Sequence, residues 1–372
     1  MKDENPFLLN GYLTENEFCN RKTETKRLKE NLINGRSSTL FSLRKMGKTG
    51  LISHLFSENS GKKSIYIDIF PTQNTGDLAE LLIRNIMPAI ESKPDKLLRW
   101  VKEIFSRISP VMEFDPVSGQ PGLSVKFAGD DAGTRSLDEL FGWLSKWDGE
   151  LWLALDEFQQ IVQYPNKGTE AQLRSLLQFC PSLKTIFLGS QEDMMVSMFS
   201  DYGRPFYQST DMMQLKPIPK AEYLEFIRRH MEAGKRNVDM EIVDDWYDRL
   251  KGHTYYVQHA MNHLYGVNSK KWKKQDYEQF FFSLVQEQEH YFQTFHHLLS
   301  DLQWKVLKAI SKEGYVEKIQ GKDWLLAHKL GGASSVSSAV QTLLARELLA
   351  KEERGVRLMN PYMEYWFRYS SM

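Results

Sequence analysis

The chain has 372 residues, 41% hydrophobic and 26% charged, a composition that excludes a disordered polymer and a length that predicts two or three domains. With 48 Lys and Arg against 48 Asp and Glu, no global field draws it to a polyanion or a membrane, so any such contact must be local. Two cysteines, Cys19 and Cys180, exclude a disulfide framework and a cysteine-built zinc site.

The N-terminus, Met1-Lys2-Asp3-Glu4-Asn5-Pro6, lacks the basic-then-apolar pattern of a signal peptide, and the apolar runs are strand-length, which fits a cytoplasmic chain. From residue 37 to 214 short apolar runs alternate with longer amphipathic stretches, the pattern of an α/β fold around a parallel sheet. The predicted strands are Thr39–Phe41, Ser64–Ile69, Leu151–Leu155, Thr185–Leu188 and Met212–Leu215. Two alternating runs around Ser118-Gly119-Gln120-Pro121-Gly122 predict an inserted β-hairpin over about 110–127. Residues 217–299 read as an all-α lid, with Tyr223, Phe226, Ile227 and His230 at helical spacing, and 1–216 as the core domain. From 300 to 372, three helical stretches and a closing Arg354–Leu358 segment read as a small winged-helix domain.

The segment Ser42-Leu43-Arg44-Lys45-Met46-Gly47-Lys48-Thr49 follows the first strand and runs into a helix whose apolar positions are Leu51, Ile52, Leu55 and Phe56. A loop at a helix N-terminus aims backbone N–H groups and the positive end of the helix dipole at phosphates. Met46, Gly47, Lys48, Thr49 and Gly50 are therefore candidates to hold ATP, with Lys48 on the β and γ phosphates and the Thr49 hydroxyl in the shell of Mg2+. Ser42 stands where the usual pattern has its first glycine, and Gly50 follows the threonine.

Trp152-Leu153-Ala154-Leu155 delivers Asp156-Glu157 to the C-terminal end of a buried strand, where open α/β sheets bind ligands. There Asp156 can hold Mg2+, and Glu157 can orient or deprotonate the attacking water. Gly189-Ser190-Gln191 closes another strand and offers Ser190 and Gln191 near the γ phosphate, against the alternative that Ser190 caps a helix.

On these residues the chain resembles the archaeal-type ATPase family, a branch of the STAND/AAA+ P-loop NTPases similar to origin-recognition and helicase-loader ATPases. The resemblance takes in Phe18-Cys19-Asn20-Arg21-Lys22-Thr23-Glu24, similar to the family's Phe-x-x-Arg-x-x-Glu motif beside the adenine, and so implies Phe18 and Arg21 in nucleotide binding. It also covers the Lys48 loop, Leu155-Asp156-Glu157-Phe158-Gln159 and Tyr202-Gly203-Arg204-Pro205, where the resemblance implies that Arg204 acts on the nucleotide, in cis or from a neighbouring subunit of an oligomer, against the alternative of a surface arginine paired with a carboxylate. Gly252-His253-Thr254 looks like the family's Gly-x-Pro lid motif, with Thr254 in place of the proline. The implied architecture is an AAA+-like P-loop core, a helical lid and a C-terminal winged helix, and the implied activity is ATP hydrolysis.

Other constellations carry less. His259 and His263 have the spacing of a two-histidine metal face, but Ala260 sits where a glutamate would follow. His290, His296 and His297 sit among Tyr291, Phe292 and Phe295 and read as an interdomain aromatic seam, and Lys270-Lys271-Trp272-Lys273-Lys274 reads as a solvated linker, with nucleic-acid contact as the alternative. Residues 300–372 carry eleven Lys and Arg and eight Asp and Glu, a mild +3, and the candidate recognition helix Ser334–Leu343 holds hydroxyls and one amide but no arginine until Arg346. Three functions stay open at this point: a regulatory ATPase switching its lid and winged helix, a DNA-associated ATPase, and a non-catalytic nucleotide-binding scaffold with a protein partner.

Overall fold

The computed structural model describes residues 5–9, 11, 14–105, 108–114, 121–127, 132–267 and 272–370. The chain forms two compact units, one of residues 21–216 and one in which residues 1–20 group with 217–372.

The first unit carries a five-stranded parallel sheet of β1 (Ser38–Phe41), β2 (Lys63–Asp68), β5 (Leu151–Asp156), β6 (Leu183–Gly189) and β7 (Asp211–Gln214), in the order β2-β5-β6-β1-β7. The intervening β3 (Ile108–Phe114) and β4 (Pro121–Phe127) form the expected antiparallel hairpin, whose turn lies outside the described residues apart from Pro121 and Gly122. Helices α1 (Lys22–Ile33), α2 (Lys48–Glu58), α3 (Thr75–Ile90), α4 (Pro94–Ile104), α5 (Ala132–Leu144), α6 (Thr169–Gln178) and α7 (Glu192–Ser200) complete the unit. All six residues of β5 are buried, as a central parallel strand requires. Each large apolar side chain it buries is worth about 1.5–3 kcal/mol, so the acidic pair at its end stands on a rigid strand.

Register sets what meets at the sheet's C-terminal edge. Phe41 pairs with Gly189, and Leu155 with Phe187, so the residues after β1 and β6 lie level with the end of β5. On the other side of β5, Asp68 pairs with Asp156. The chain order reverses around β1, which makes this edge the topological switch point of the sheet.

The second unit holds α8 (Lys220–Ala233), α9 (Met240–Arg249), α10 (Thr254–Gly266), α11 (Lys274–Gln286), α12 (Glu289–Leu298), α13 (Asp301–Glu313), α14 (Lys322–Ala327) and α15 (Ala333–Ala345). A hairpin, β8 (Leu349–Glu352) with β9 (Gly355–Leu358), and a last helix, α16 (Pro361–Tyr369), follow. Sequence patterning did not predict α16, although Asn360 caps it through its side chain and Pro361 starts it. One continuous core runs from Tyr223 through Trp246 and Phe281 to Leu307, Val340 and Phe367. The predicted aromatic seam is part of it: Phe292 is fully buried with its ring 5.7 Å from that of Trp366, and the His296 ring lies 4.7 Å from that of Trp304. His259 accepts or donates a hydrogen bond at 3.2 Å to the Tyr362 hydroxyl. Of the basic loop at 270–274, Lys270 and Lys271 lie outside the described residues, while the Trp272 ring packs 5.1 Å from that of Tyr277. Lys251, in a left-handed turn, pairs with the buried Glu364 at 2.5 Å, and Arg368 pairs with the same carboxylate at 2.7 Å.

Phe7 belongs to this core. Its ring lies 5.9 Å from that of Tyr265 and 6.1 Å from that of Phe226, and Asn262 donates to its carbonyl at 2.6 Å. Phe7→Ala should therefore cost about 3–5 kcal/mol in residues 217–372, read as lost amide-exchange protection there while β1, β5 and β6 keep theirs.

Candidate functional site

The loop at Lys48 is built by two backbone constraints. Gly47 sits at φ +95°, a left-handed conformation that costs a side-chain-bearing residue, and it turns the chain directly into α2. Lys48 is the first residue of that helix, 7% exposed, and its Nζ donates back to the Ser42 carbonyl at 3.2 Å, Ser42 Oγ at 3.3 Å and the Leu43 carbonyl at 3.4 Å. Ser42 is fully buried and supplies an acceptor that glycine would lack, which gives a physical reason for serine at the start of this loop. Its amide is in turn bound to the Gly189 carbonyl at 3.3 Å, tying the loop to the end of β6.

At the ends of β2 and β5 a hydrogen-bonded chain begins. Thr49, exposed on the first turn of α2, has its Oγ1 3.1 Å from the Tyr66 hydroxyl, and Tyr66 donates to Asp156 Oδ2. Asp156 Oδ1 accepts the Glu157 amide at 2.8 Å. Burial pushes the Asp156 carboxyl above the usual carboxylate range, opposed by the Tyr66 hydrogen bond and the Lys48 charge, while burial and the Asp156 charge push the Tyr66 phenol far up. Glu157 adopts φ +54°, a left-handed conformation uncommon outside glycine, and the short 3₁₀ helix Phe158–Gln163 follows it. Its Oε2 accepts from Ser190 Oγ at 2.7 Å and from Gln159 Nε2. Ser190 thus turns toward Glu157, and the residue capping α7 is Gln191, whose carbonyl accepts the Met195 amide at 2.9 Å. Gly189 admits this arrangement, because a Cβ there would lie 2.5 Å from Gln159 Oε1 and 2.4 Å from Met195 Cγ.

Met46, Gly47, Lys48, Thr49, Gly50, Asp156, Glu157, Ser190 and Gln191 thus come from three adjoining strand ends and their loops. Arg21 is 3% exposed and donates to the Met46 carbonyl at 3.3 Å and the Lys216 carbonyl at 2.7 Å, which makes it a tie on the loop's backbone. Arg204 is held by Glu170 at 2.9 Å, at the start of α6. Phe18 belongs to the other compact unit. Sequence reasoning missed Tyr66 and the part played by Gln159. The available signal was a phenol between the two isoleucines of β2, Ile65 and Ile67, which must find a partner when partly buried.

Tyr66→Phe removes the donor on a buried carboxylate and should cost the unit about 1–3 kcal/mol in urea unfolding. Tyr202→Phe, at a residue 92% exposed, should cost nothing measurable and serves as the control.

Residues 290–369 match the model of a probable winged helix domain. No curated protein matches the sequence. Among solved structures, the Walker-type ATPase paby2304 of Pyrococcus abyssi is similar over 98% of this chain and 99% of its own, at 17% identity and a TM-score of 0.65. The ORC2 protein of Aeropyrum pernix, in its ADPNP-ADP complexes, is similar over 100% of this chain and 99% of its own, at 16% identity and a TM-score of 0.58. Among the described residues, no helix is long and apolar enough to cross a membrane. The chain shares the fold of these two structures, with a parallel five-stranded sheet in an α/β core, and a winged-helix domain over residues 290–369.

Proposed function

We propose that the chain is a regulatory ATPase that binds ATP with Mg2+, hydrolyses it, and uses the nucleotide state to switch residues 217–299, read as a lid, and 300–372, the winged helix. The observation that carries this reading is the hydrogen-bonded chain from Thr49 through Tyr66 and Asp156 to Glu157 and Ser190, set level with Lys48 at one sheet edge. The donor set fits the group: a buried lysine on a helix N-terminus suits phosphate, and the hard oxygens of Thr49 and Asp156 suit a small divalent cation.

Lys48 and the first amides of α2 would hold the β and γ phosphates, and Thr49 with Asp156 would hold the metal. Bound Mg2+ supplies neutralisation of charge on the phosphoryl oxygens. Glu157 is the group to take a proton from water, at Oε2. Ser190 and Gln159 both donate to that atom and so occupy the lone pairs that would accept a proton from water, and turnover by this arrangement is slow until a donor is withdrawn. Arg204 can reach a nucleotide only by leaving Glu170, which makes that pair a second point of control.

The surface of the winged helix favours regulation over DNA binding. The exposed positions of α15 are Ser334, Ser335, Ser338, Gln341 and Ala345, with Arg346 a single exposed cation just past its end, and the hairpin tip, Lys351-Glu352-Glu353-Arg354, sums to no net charge. A duplex-reading face needs a concentration of cations that these positions lack.

Lys48→Ala should weaken binding of a fluorescent ATP analogue by at least about tenfold, losing charge-assisted hydrogen bonds. Glu157→Gln should bind it as the unaltered chain does and hydrolyse about 10²–10⁴-fold more slowly. Hydrolysis indifferent to both substitutions would remove the proposal.

A further inference from the structure

The opposite end of the same sheet carries a second constellation. A cavity of about 640 Å³ opens at the N-terminal ends of β1, β6 and β7, lined by the segments Gly35–Ser37, Cys180–Lys184 and Gln208–Asp211, together with residues of α6. Its volume is that of a small-molecule site. Three cations from three elements line it: Arg36 before β1, Arg174 on α6, and Lys184 on β6. The Lys184 ammonium stands over the left-handed turn at Gly35, where a Cβ would lie 3.5 Å from its Nζ.

The charge is not balanced from within. Among the described residues no carboxylate lies within ion-pair distance of Arg36, Arg174 or Lys184; Arg174 donates instead to the Gln178 amide oxygen at 3.2 Å. The one carboxylate in the lining, Asp211, is already held by Arg27 and by Asn31 at 2.7 Å, and Arg27 lowers its pKa, with Arg36 acting on it only from farther off. Glu150, which acts on Lys184 from farther off, is paired with Lys62 at 3.0 Å. Ser37, Ser209 and Thr210 add hydroxyls to the walls, and the buried rings of Phe187 and Phe206, packed 5.3 Å apart, make a fixed floor.

Cations gathered around a concavity raise its potential and concentrate anions there. Two guanidinium forks and an ammonium match the multiple oxygens of phosphate better than a single carboxylate. We propose that this cavity is a second anion site, distinct from the Lys48 loop, and that it takes a small molecule carrying two or more phosphate groups. The inference does not depend on hydrolysis at the other edge. An occupant here would grip the starts of β1, β6 and β7, the first two of which end in the phosphate loop and in Ser190.

The test uses the full chain with Lys48→Ala, which removes the lysine of the first site, and titrates sodium tripolyphosphate or ATP by calorimetry at low salt. One binding event per chain should remain, weaken as salt rises, and weaken about tenfold further on adding either Arg174→Gln or Lys184→Gln, since each removes a charged hydrogen-bond donor. Circular dichroism checks the fold, and the exposed Arg36→Gln replaces Lys184→Gln should that variant fail to fold. Tripolyphosphate binding as tightly as ATP assigns recognition to the phosphates, and tighter ATP binding assigns it to a nucleoside polyphosphate. Loss of all binding in Lys48→Ala, or binding indifferent to Arg174→Gln and Lys184→Gln, overturns the proposal.

Discussion

A carboxylate sealed under a phenol is the constraint on which the candidate site depends. Asp156 is 7% exposed, and burial alone would favour its neutral form. The Tyr66 hydroxyl, the Lys48 charge and the Glu157 amide hold it toward the ionised one. Each of those groups is in place because of the sheet: β2 runs in register with β5 and brings Tyr66, and the loop after β1 brings Lys48. The same geometry forces Glu157 into the left-handed region. A residue held there against its preference marks a position fixed by its surroundings, and those surroundings are the polar groups of the site.

Arg21 does for the backbone what Tyr66 does for the side chains. It is the first residue of the α/β unit, and Lys216, whose carbonyl it binds, is the last. The same planar group reaches the Met46 carbonyl in the loop at Lys48 and pairs with Glu24 at 3.0 Å. Asn20 and Arg21 both take left-handed dihedrals to bring it there. A displacement of the chain at residue 216 therefore pulls on the loop through one rigid fork, without an intervening flexible side chain.

Much of this was legible because buried parallel strands write themselves as unbroken apolar runs, and all five were placed within a residue or two of their observed ends. The loop at Lys48 and the pair Asp156-Glu157 were legible for the same reason, since strand ends locate them. What escaped was long-range polar pairing. Tyr66 and Asp156 lie 90 residues apart, and nothing in either segment announces the other. A carboxylate partner for Arg204 is foreseeable but its identity as Glu170 is not, and Arg21 reads as a partner of the nucleotide only through family likeness, while its part in tying carbonyl oxygens and Glu24 together is visible only in the fold. The last helix was missed because Tyr362, Tyr365, Trp366 and Phe367 give it the composition of a strand, which outweighed the start signal of Asn360 and Pro361, and it packs against α11 and α13.

The burial of Phe7 has a consequence for the order in which the molecule is made. Its partner Asn262 is 255 residues farther along, so at about 5–20 residues per second the N-terminal segment waits roughly 10–50 s before that partner exists. During that interval all of residues 21–216 emerge and can fold around their own sheet. Phe7 is thus made well before it can find its place, and until Asn262 follows its ring stays open to a nascent-chain chaperone.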